Sequence, residues 1–377
     1  MSGPLTGRRI GLLTASASRL GGGVAEAVIV QAAMVRALGG EAVVFALADA
    51  HGEEDRARYA PSEVHLHGVR GPTQIGYAPG LADALLHAKL DCLHLHGIWM
   101  YPSSAGARWA KLTGKPYLIS PHGMLDPWIT GRSRLKKAVA RLAYEHASWR
   151  RATAFHALTA REAGDIQRQS GRGESLVIAN AGPPPSTTPQ RLRAPQVLYI
   201  GRIHPKKNLL ALVEAWARLD PQDSARLTIA GWGDDASVAE LRAALAAAPN
   251  SAEFVGPVYG DAKQHLLDAA RFTVLPSFCE GLPMAVLEGW AAGAAAIMSG
   301  ECNLPDAVTA GAAIDSGYTA ESIAAALGQA LGLSEAEWLV MSRASQALAA
   351  GPYSAGEITA QWGQAYRQLL DRDRNHG

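Results

Sequence analysis

The stretch AGPPPSTTPQRLRAPQVLYIGRIHPKKNLLALVEAW, residues 181–216, decides how the chain is organised. Its first part, 181–195, is dense in Pro, Ser and Thr, which remove backbone donors and favour turns over helix, so no regular element is expected there. A short apolar run at 197–200 follows, and then 209–219, where apolar residues recur at helical spacing. Strand, turn and helix in that order open a parallel α/β unit. The chain therefore restarts a fold at this point.

Working outward, the same rhythm appears on both sides. Upstream, strand-like runs at 10–13, 41–47, 91–95, 117–120, 154–157 and 176–178 alternate with helical stretches such as 24–38 and 81–90. Downstream, strands are expected at 227–230, 253–255 and 272–275, with helices at 237–247 and 284–292. The expected fold is α/β: two Rossmann-like doubly wound domains facing each other across a cleft. The expected boundaries are an N-terminal domain over 1–182, a linker over 183–195, a C-terminal domain over 196–352 and a helix within 353–377. That last helix carries Ile358, Trp362, Tyr366, Leu369 and Leu370 as an apolar stripe, which could pack on either domain, a return to the N-terminal one included.

With 377 residues, two domains of similar mass are the default. A formal net charge of only +1 argues against nucleic acid as a partner of the whole protein. Three scattered cysteines, Cys92, Cys279 and Cys302, are too few for a disulfide framework or a zinc site, which points to a reducing cytoplasm. The opening run is short and leads into glycines, so it reads as a first strand and not as a signal peptide. No stretch of about 18 apolar residues lacks charges and breakers, so no membrane span is expected.

Four stretches could carry chemistry. In PSFCEGLPMAVLEGWAAG, 276–293, a strand gives way at Pro276 to a turn containing Gly281, and a helix begins near Met284. Glu280 in the loop and Glu288 one turn into the helix can face one opening at the C-terminal edge of a sheet. Free amides near Leu282, Met284 and Ala285 would attract a phosphate there. Carboxylates beside an anion site would repel the phosphate itself, so sugar or ribose hydroxyls are their natural partners. A solvated loop residue and a surface helix residue are the plainer reading of the two. In YIGRIHPKKNLLALVEAW, Arg202 and Lys207 lie at the same kind of strand-to-helix edge and could neutralise a diphosphate, or belong to a solvated basic loop.

The glycines of SRLGGGVAEAV, 18–28, permit close backbone approach to a ligand, Gly22 and Gly23 above all, without completing a dinucleotide fingerprint. In SPHGMLDPW, His122 sits on a constrained loop after a strand, as a structural or hydrogen-bonding residue or a base. The pairs His65/His67 and His94/His96 have strand spacing but lack a third ligand for a metal. Residues 132–151, RSRLKKAVARLAYEHASWRR, set Arg132, Arg134, Lys136, Lys137, Arg141, Arg150 and Arg151 against a single acid, Glu145. Such a basic amphipathic helix could rest on an anionic membrane or bind a lipid diphosphate, or present a solvated face.

Together, the glycine loop, the PHG segment, GR…KKN and the E-x7-E of Glu280 and Glu288 resemble the group 1 family of retaining glycosyltransferases, family 4, with the GT-B fold. The resemblance spans nearly the whole chain. It implies that Arg202 and Lys207 bind the diphosphate, that Glu280 contacts sugar hydroxyls, and that Glu288 holds the ribose. It sets His122 by the donor sugar and Gly22 and Gly23 near phosphate or acceptor. FVGPV, 254–258, resembles a base-binding loop acting through backbone around Gly256 and Val258. The chain departs from the family pattern at ANAGPPP and at Asn208, where glycine is usual. ECNLPDAV, with Asp306, is closer to a subgroup associated with bacterial surface polysaccharides.

The implied activity is transfer of a hexose from a nucleotide diphosphate sugar, GDP-mannose or a UDP-hexose, to a hydroxyl of a glycan or lipid-linked acceptor. No cofactor and no metal are expected, since two cations and a helix end can balance the leaving group. The expected setting is exopolysaccharide or lipopolysaccharide assembly in the cytoplasm, on the inner face of the membrane if the basic segment docks there. A nucleotide-sugar epimerase, a phosphorylase or a non-catalytic sugar-nucleotide-binding protein could share the two-domain plan. A dehydrogenase is disfavoured by the incomplete glycine fingerprint, with Asp49 as its sole ribose candidate.

Overall fold

The structure, a computed structural model, describes residues 3–131, 134–173, 175–186, 193–219, 225–248 and 251–374. Its first sheet comprises β1 (Arg9–Thr14), β2 (Glu41–Leu47), β3 (Glu63–His67), β4 (Cys92–His96), β5 (Tyr117–Ser120), β6 (Ala154–Ala157) and β7 (Leu176–Val177), in the order β3-β2-β1-β4-β5-β6-β7. A second sheet holds β8 (Gln196–Ile200), β9 (Arg226–Ala230), β10 (Ala252–Gly256), β11 (Phe272–Leu275), β12 (Ala295–Met298) and β13 (Ala313–Asp315), in the order β10-β9-β8-β11-β12-β13. Every pairing is parallel. Counting from each sheet's own first strand, both follow 3-2-1-4-5-6, the doubly wound order that binds ligands at the carboxyl ends of its strands.

Parallel strands with helices on both faces read as unbroken apolar runs. Val43, Val44 and Phe45 of β2 are all buried, as are Ala295, Ala296 and Ile297 of β12. One large cluster fills the first sheet's interior, with Trp109 of the Tyr101–Thr113 helix and Trp149 packed into it. Trp216, Trp290 and Trp338 are buried in the second unit.

The chain divides into two compact units, Met1–Ala179 with Ile358–Gly377, and Asn180–Glu357. The expected boundaries, 182 and 353, therefore shift to 179 and 358. Hydrogen bonds explain the first shift. The Gly182 amide donates to the Tyr353 carbonyl at 2.8 Å, and the Ser186 amide to Ala291 at 2.7 Å, tying the start of the expected linker to the second unit. Linker residues 187–192 lie outside the described residues, as does Arg132.

The last helix, Ala355–Arg374, supplies Ile358, Trp362, Tyr366, Leu369 and Leu370 as buried residues, and from Ile358 onward it groups with the first unit. Tyr366 there takes a hydrogen bond from Gln31 Nε2 at 3.1 Å, and Trp362 packs 4.7 Å from the His156 ring. The basic segment is not the single amphipathic helix expected of it. Arg134–Ala140 is α-helical, Arg141–Glu145 is a π-turn and His146–Arg151 is α-helical again. Its only acid, Glu145, points inward and is fully buried. Among the described residues, no helix is long and apolar enough to cross a membrane.

Candidate functional site

In the second unit, the carboxyl ends of β8, β9 and β11 gather most of the expected residues. Gly231, after β9, has φ 152°, and a Cβ there would lie 1.8 Å from the Gly201 carbonyl oxygen. Only glycine lets the two loops meet so closely. Beyond this contact, the Arg202 guanidinium lies 5.3 Å over the Trp232 ring, and Tyr199 donates its hydroxyl to the Arg202 carbonyl at 2.8 Å. Stacking engages the face of a guanidinium and leaves its N–H edge for an anion.

Pro205–Lys207 forms one 3-10 turn, and Asn208 follows at φ 60°. That left-handed position is where glycine is usual, and asparagine is among the residues that tolerate it. The Asn208 amide also donates to the Tyr318 carbonyl at 2.8 Å, a bond glycine could not make. The turn delivers Lys207, whose Nζ is bonded to Glu280 Oε1. Ser277 donates to the same carboxylate oxygen at 2.6 Å. No hydrogen bond occupies Glu280 Oε2 among the described residues.

Backbone ties fix this pair in place. The Phe278 amide donates to Lys206 at 2.8 Å, joining the loops after β11 and β8, and the Glu280 amide donates to Glu301 at 3.1 Å, joining the loop after β12. Asn303 clamps the turn from the other side, donating to the carbonyls of Glu280 at 2.6 Å and Gly281 at 3.1 Å. Both ionic side chains are largely removed from water, so each depends on the other.

Pro283 caps the Met284–Ala292 helix without a side-chain hydrogen bond, and the amides of Met284 and Ala285 lack intrahelical acceptors by helix geometry. Leu282, in the turn before the helix, is buried. Glu288 on this helix meets Lys263 Nζ at 2.6 Å, from the Gly260–Ala269 helix. The two glutamates thus have separate lysine partners, and Lys263 was not among the expected cations. Gly256 has φ 79° and its carbonyl accepts from Gly231 at 2.8 Å, so part of the expected base-binding backbone serves the loop itself. Val258 follows, half-buried.

Gly22, Gly23 and His122 belong to the first unit. Gly22 has φ 54° and caps the Gly23–Ala37 helix, and a Cβ at either glycine would meet nothing within 4 Å. Conformation, not crowding, requires Gly22. The preceding loop is anchored by Asp49, whose Oδ2 accepts from Ser16 at 2.6 Å and Ser18 at 2.9 Å. Burial works to raise this carboxyl, but the bonds from Ser16, His51 and Ser18 win and hold it below the usual range. Asp49 is thereby committed to the loop. Ser16, Gly21, Asp49, His96, Ile98 and Met124 border a cavity of about 530 Å³ at the carboxyl ends of β1, β2 and β4.

Behind that cavity runs a chain of neutral imidazoles. His156 Nε2 faces the Ile178 carbonyl at 2.8 Å, which can only accept, so that nitrogen carries the proton. His156 Nδ1 then accepts from Ser120 at 2.7 Å, Ser120 from His94 Nε2 at 2.6 Å, and His94 Nδ1 from Tyr366 at 2.9 Å. Burial keeps all of them uncharged: His156 is pushed down to about 4 and His94 well below its usual value. His122, at φ 53°, stacks on His96 with ring centres 5.2 Å apart and meets its Nδ1 through Nε2 at 3.0 Å. Its imidazole is lowered to about 3, again by burial. Among the described residues, His96 Nε2 is buried without a partner. Among the described residues, no three His, Cys, Asp or Glu side chains are grouped to hold a metal.

Residues 22–181 match the family model described as a glycosyl transferase 4-like domain, and residues 194–332 the one described as glycosyl transferases group 1. Among curated proteins, the chain is similar to the O-antigen chain mannosyltransferase B of Escherichia coli, 27% identical over 177 residues that make up 46% of this chain and 45% of the relative. The chain spans less than half the length of the curated relatives it matches. Among solved structures, Anabaena HepE in complex with UDP and glucose superimposes with a TM-score of 0.77 at 18% identity, covering 96% of this chain and all of that one. Sucrose-phosphate synthase from Thermosynechococcus elongatus gives 0.75 at 18% identity, covering 97% and 100%. At such identities the likeness is one of fold. Two doubly wound units, each under its own family match, lead to one conclusion: the chain belongs to the group 1 glycosyltransferases, family 4, with the GT-B fold.

Proposed function

We propose that the protein is a retaining, metal-independent glycosyltransferase that moves a hexose from GDP-mannose or a UDP-hexose to a hydroxyl of a glycan or lipid-linked acceptor. The observation that carries this reading is Glu280, fixed through Oε1 by Lys207 and Ser277 beside a helix end without a side-chain cap, with Oε2 left without a hydrogen bond among the described residues. A carboxylate so held accepts from sugar hydroxyls, and the adjacent amides and cations take the phosphates. Glu288 and Lys263 hold the ribose end, and backbone around Gly256 and Val258 borders the base. His122, which burial keeps neutral, hydrogen-bonds the donor sugar.

In the transfer step, the bond between the anomeric carbon and the β-phosphate oxygen breaks, and its electron pair stays on the phosphate. The acceptor oxygen bonds to the same face of that carbon, and its proton passes to the departing phosphate. Arg202, Lys207 and the amides of Met284 and Ala285 stabilise the charge that develops. We assign the acceptor hydroxyl to the cavity beside Asp49 and Gly21, whose lining is largely apolar around that one carboxylate. The name of the Escherichia coli relative supports surface-polysaccharide assembly as the setting, and HepE's complex with UDP and glucose supports a nucleotide-sugar donor.

The test is turnover of GDP-mannose and UDP-hexoses by EDTA-treated protein with a glycan acceptor, the product's anomeric proton being followed by NMR. Transfer with the donor's configuration kept is expected. Inversion, or an absolute need for added Mg²⁺, would overturn the corresponding part of the proposal.

A further inference from the structure

The basic segment has a second surface that the transfer chemistry does not use. Its inward face is already committed, because Glu145, Ser148 and Trp149 are buried against the first unit. Glu145 accepts there from Ser103 at 2.8 Å. The opposite side carries Leu135, Val139 and Leu142, which are 85%, 67% and 78% exposed. Leu135 and Leu142 are the two most exposed large apolar side chains among the described residues. Leu135 and Val139 lie four apart on one face of the Arg134–Ala140 helix, and Leu142 follows in the π-turn. A helix whose core side is filled has no folding reason for a second apolar stripe.

The same segment also carries exposed cations. Lys136 is exposed beside Leu135. From Ala143 onward the segment borders a groove of about 580 Å³ with the Tyr101–Thr113 helix, and Arg108, Lys111, Arg150 and Arg151 line it. Of these four, Arg108 alone has an ion-pair partner among the described residues, Asp83 at 3.4 Å. Because Glu145 is turned inward, the outward surface of 135–151 presents no acid.

We propose that residues 135–151, with Arg108 and Lys111, dock on an anionic phospholipid bilayer. Leu135, Val139 and Leu142 enter the boundary between headgroups and acyl chains, and the four cations bind headgroup phosphates. A second copy of the chain is the poorer occupant: a two-fold contact through this patch would bring the same cationic groove near its own image. An acidic surface satisfies both the stripe and the groove.

The test uses the full-length protein and vesicles of phosphatidylglycerol with phosphatidylcholine, against vesicles of phosphatidylcholine alone. Flotation with the anionic vesicles, weakened by salt, is expected, and none with the neutral ones. Leu135→Ser/Val139→Ser/Leu142→Ser should lower partitioning by on the order of tenfold or more and keep the salt dependence. Arg108→Gln/Lys111→Gln/Arg150→Gln/Arg151→Gln should lower it at least as far and flatten that dependence. All these positions are exposed, so both variants should melt as the parent does. A Leu142→Cys variant can carry an environment-sensitive dye, because Cys92, Cys279 and Cys302 are buried. Its emission should shift to the blue only with anionic vesicles. The proposal is overturned if the parent protein ignores anionic vesicles, binds both kinds equally, or floats as well after the triple serine change. Equally damaging would be a dimer in sedimentation equilibrium that the serine variant dissolves. None of these readouts depends on donor turnover.

Discussion

The two units repeat one strand order and finish it with opposite chemistry. At the carboxyl end of the first sheet, apart from the Asp49 carboxylate that Ser16 and Ser18 hold, the polar groups are imidazoles and hydroxyls that burial keeps neutral, joined in a chain from Ile178 to Tyr366. At the carboxyl end of the second, they are full charges in two lysine–glutamate pairs, Lys207 with Glu280 and Lys263 with Glu288. Topology fixes where a ligand can approach, and the side chains decide what charge it may carry. An edge of neutral groups around one carboxylate already committed to its loop suits an uncharged hydroxyl. A charged edge already holds, in fixed positions, the groups that a diphosphate needs.

Acid should break the comparison most strongly. Each buried histidine has a folded pKa below its unfolded value, so the unfolded chain binds more protons and stability is lost as pH falls from about 6.5. His156 alone, lowered to about 4, accounts for about 3 kcal/mol of that loss, and His94, His96 and His122 add to it. Denaturant melts monitored unit by unit between pH 7 and pH 4 should show the first unit unfolding earlier than the second. Simultaneous loss would mean that the imidazole chain does not set the difference.

Next in size is Glu280→Ala. It removes the sugar acceptor and strands Lys207, so transfer should fall about a thousandfold while nucleotide affinity is largely kept, as measured by steady-state kinetics and calorimetry. An equal fall in both would move Glu280 from the sugar to the nucleotide. Glu145→Gln sharpens the acid experiment. Burial raises the Glu145 carboxyl to about 7, so its ionisation destabilises the fold as pH climbs from about 4.5 to 7. The glutamine variant should be more stable than the parent by up to about 3 kcal/mol at pH 8 and should lose stability more steeply on acidification. The smallest effect belongs to Glu288→Ala, which should weaken nucleotide binding by roughly tenfold, with Lys263→Ala following it in direction. Unchanged affinity in both would leave that pair a structural bridge between two helices.

These contrasts were unevenly legible in the sequence. The two parallel sheets could be read because runs such as 41–47 and 272–275 are apolar and bounded by glycine or proline. β12 and β13 were not foreseen: AAIM and AID are short, alanine-rich and flanked by more alanine, which favours helix as readily as strand. Glu280, Lys207 and Glu288 could be read as candidates from their places at strand-to-helix edges. Lys263 could not, since one lysine in a helix gives no sign of the acid it will meet 25 residues on. Nor could the inward turn of Glu145, because a π-turn moves a residue off the face that regular helical spacing assigns to it. Asn208 was readable only as a departure from glycine, and its φ supplies the reason.

The final helix has a consequence in time. Tyr366 completes the hydrogen-bond chain of the first unit, yet it lies 272 residues beyond its partner His94. At synthesis rates of about 5–20 residues per second, roughly 15–50 seconds separate the two leaving the ribosome, and the whole second unit emerges in between. The half of the protein made first is therefore finished last. Until then His94 and His156 stand without the Trp362 and Tyr366 rings that cover them, and a nascent chain stalled before residue 358 should expose that surface to chaperones.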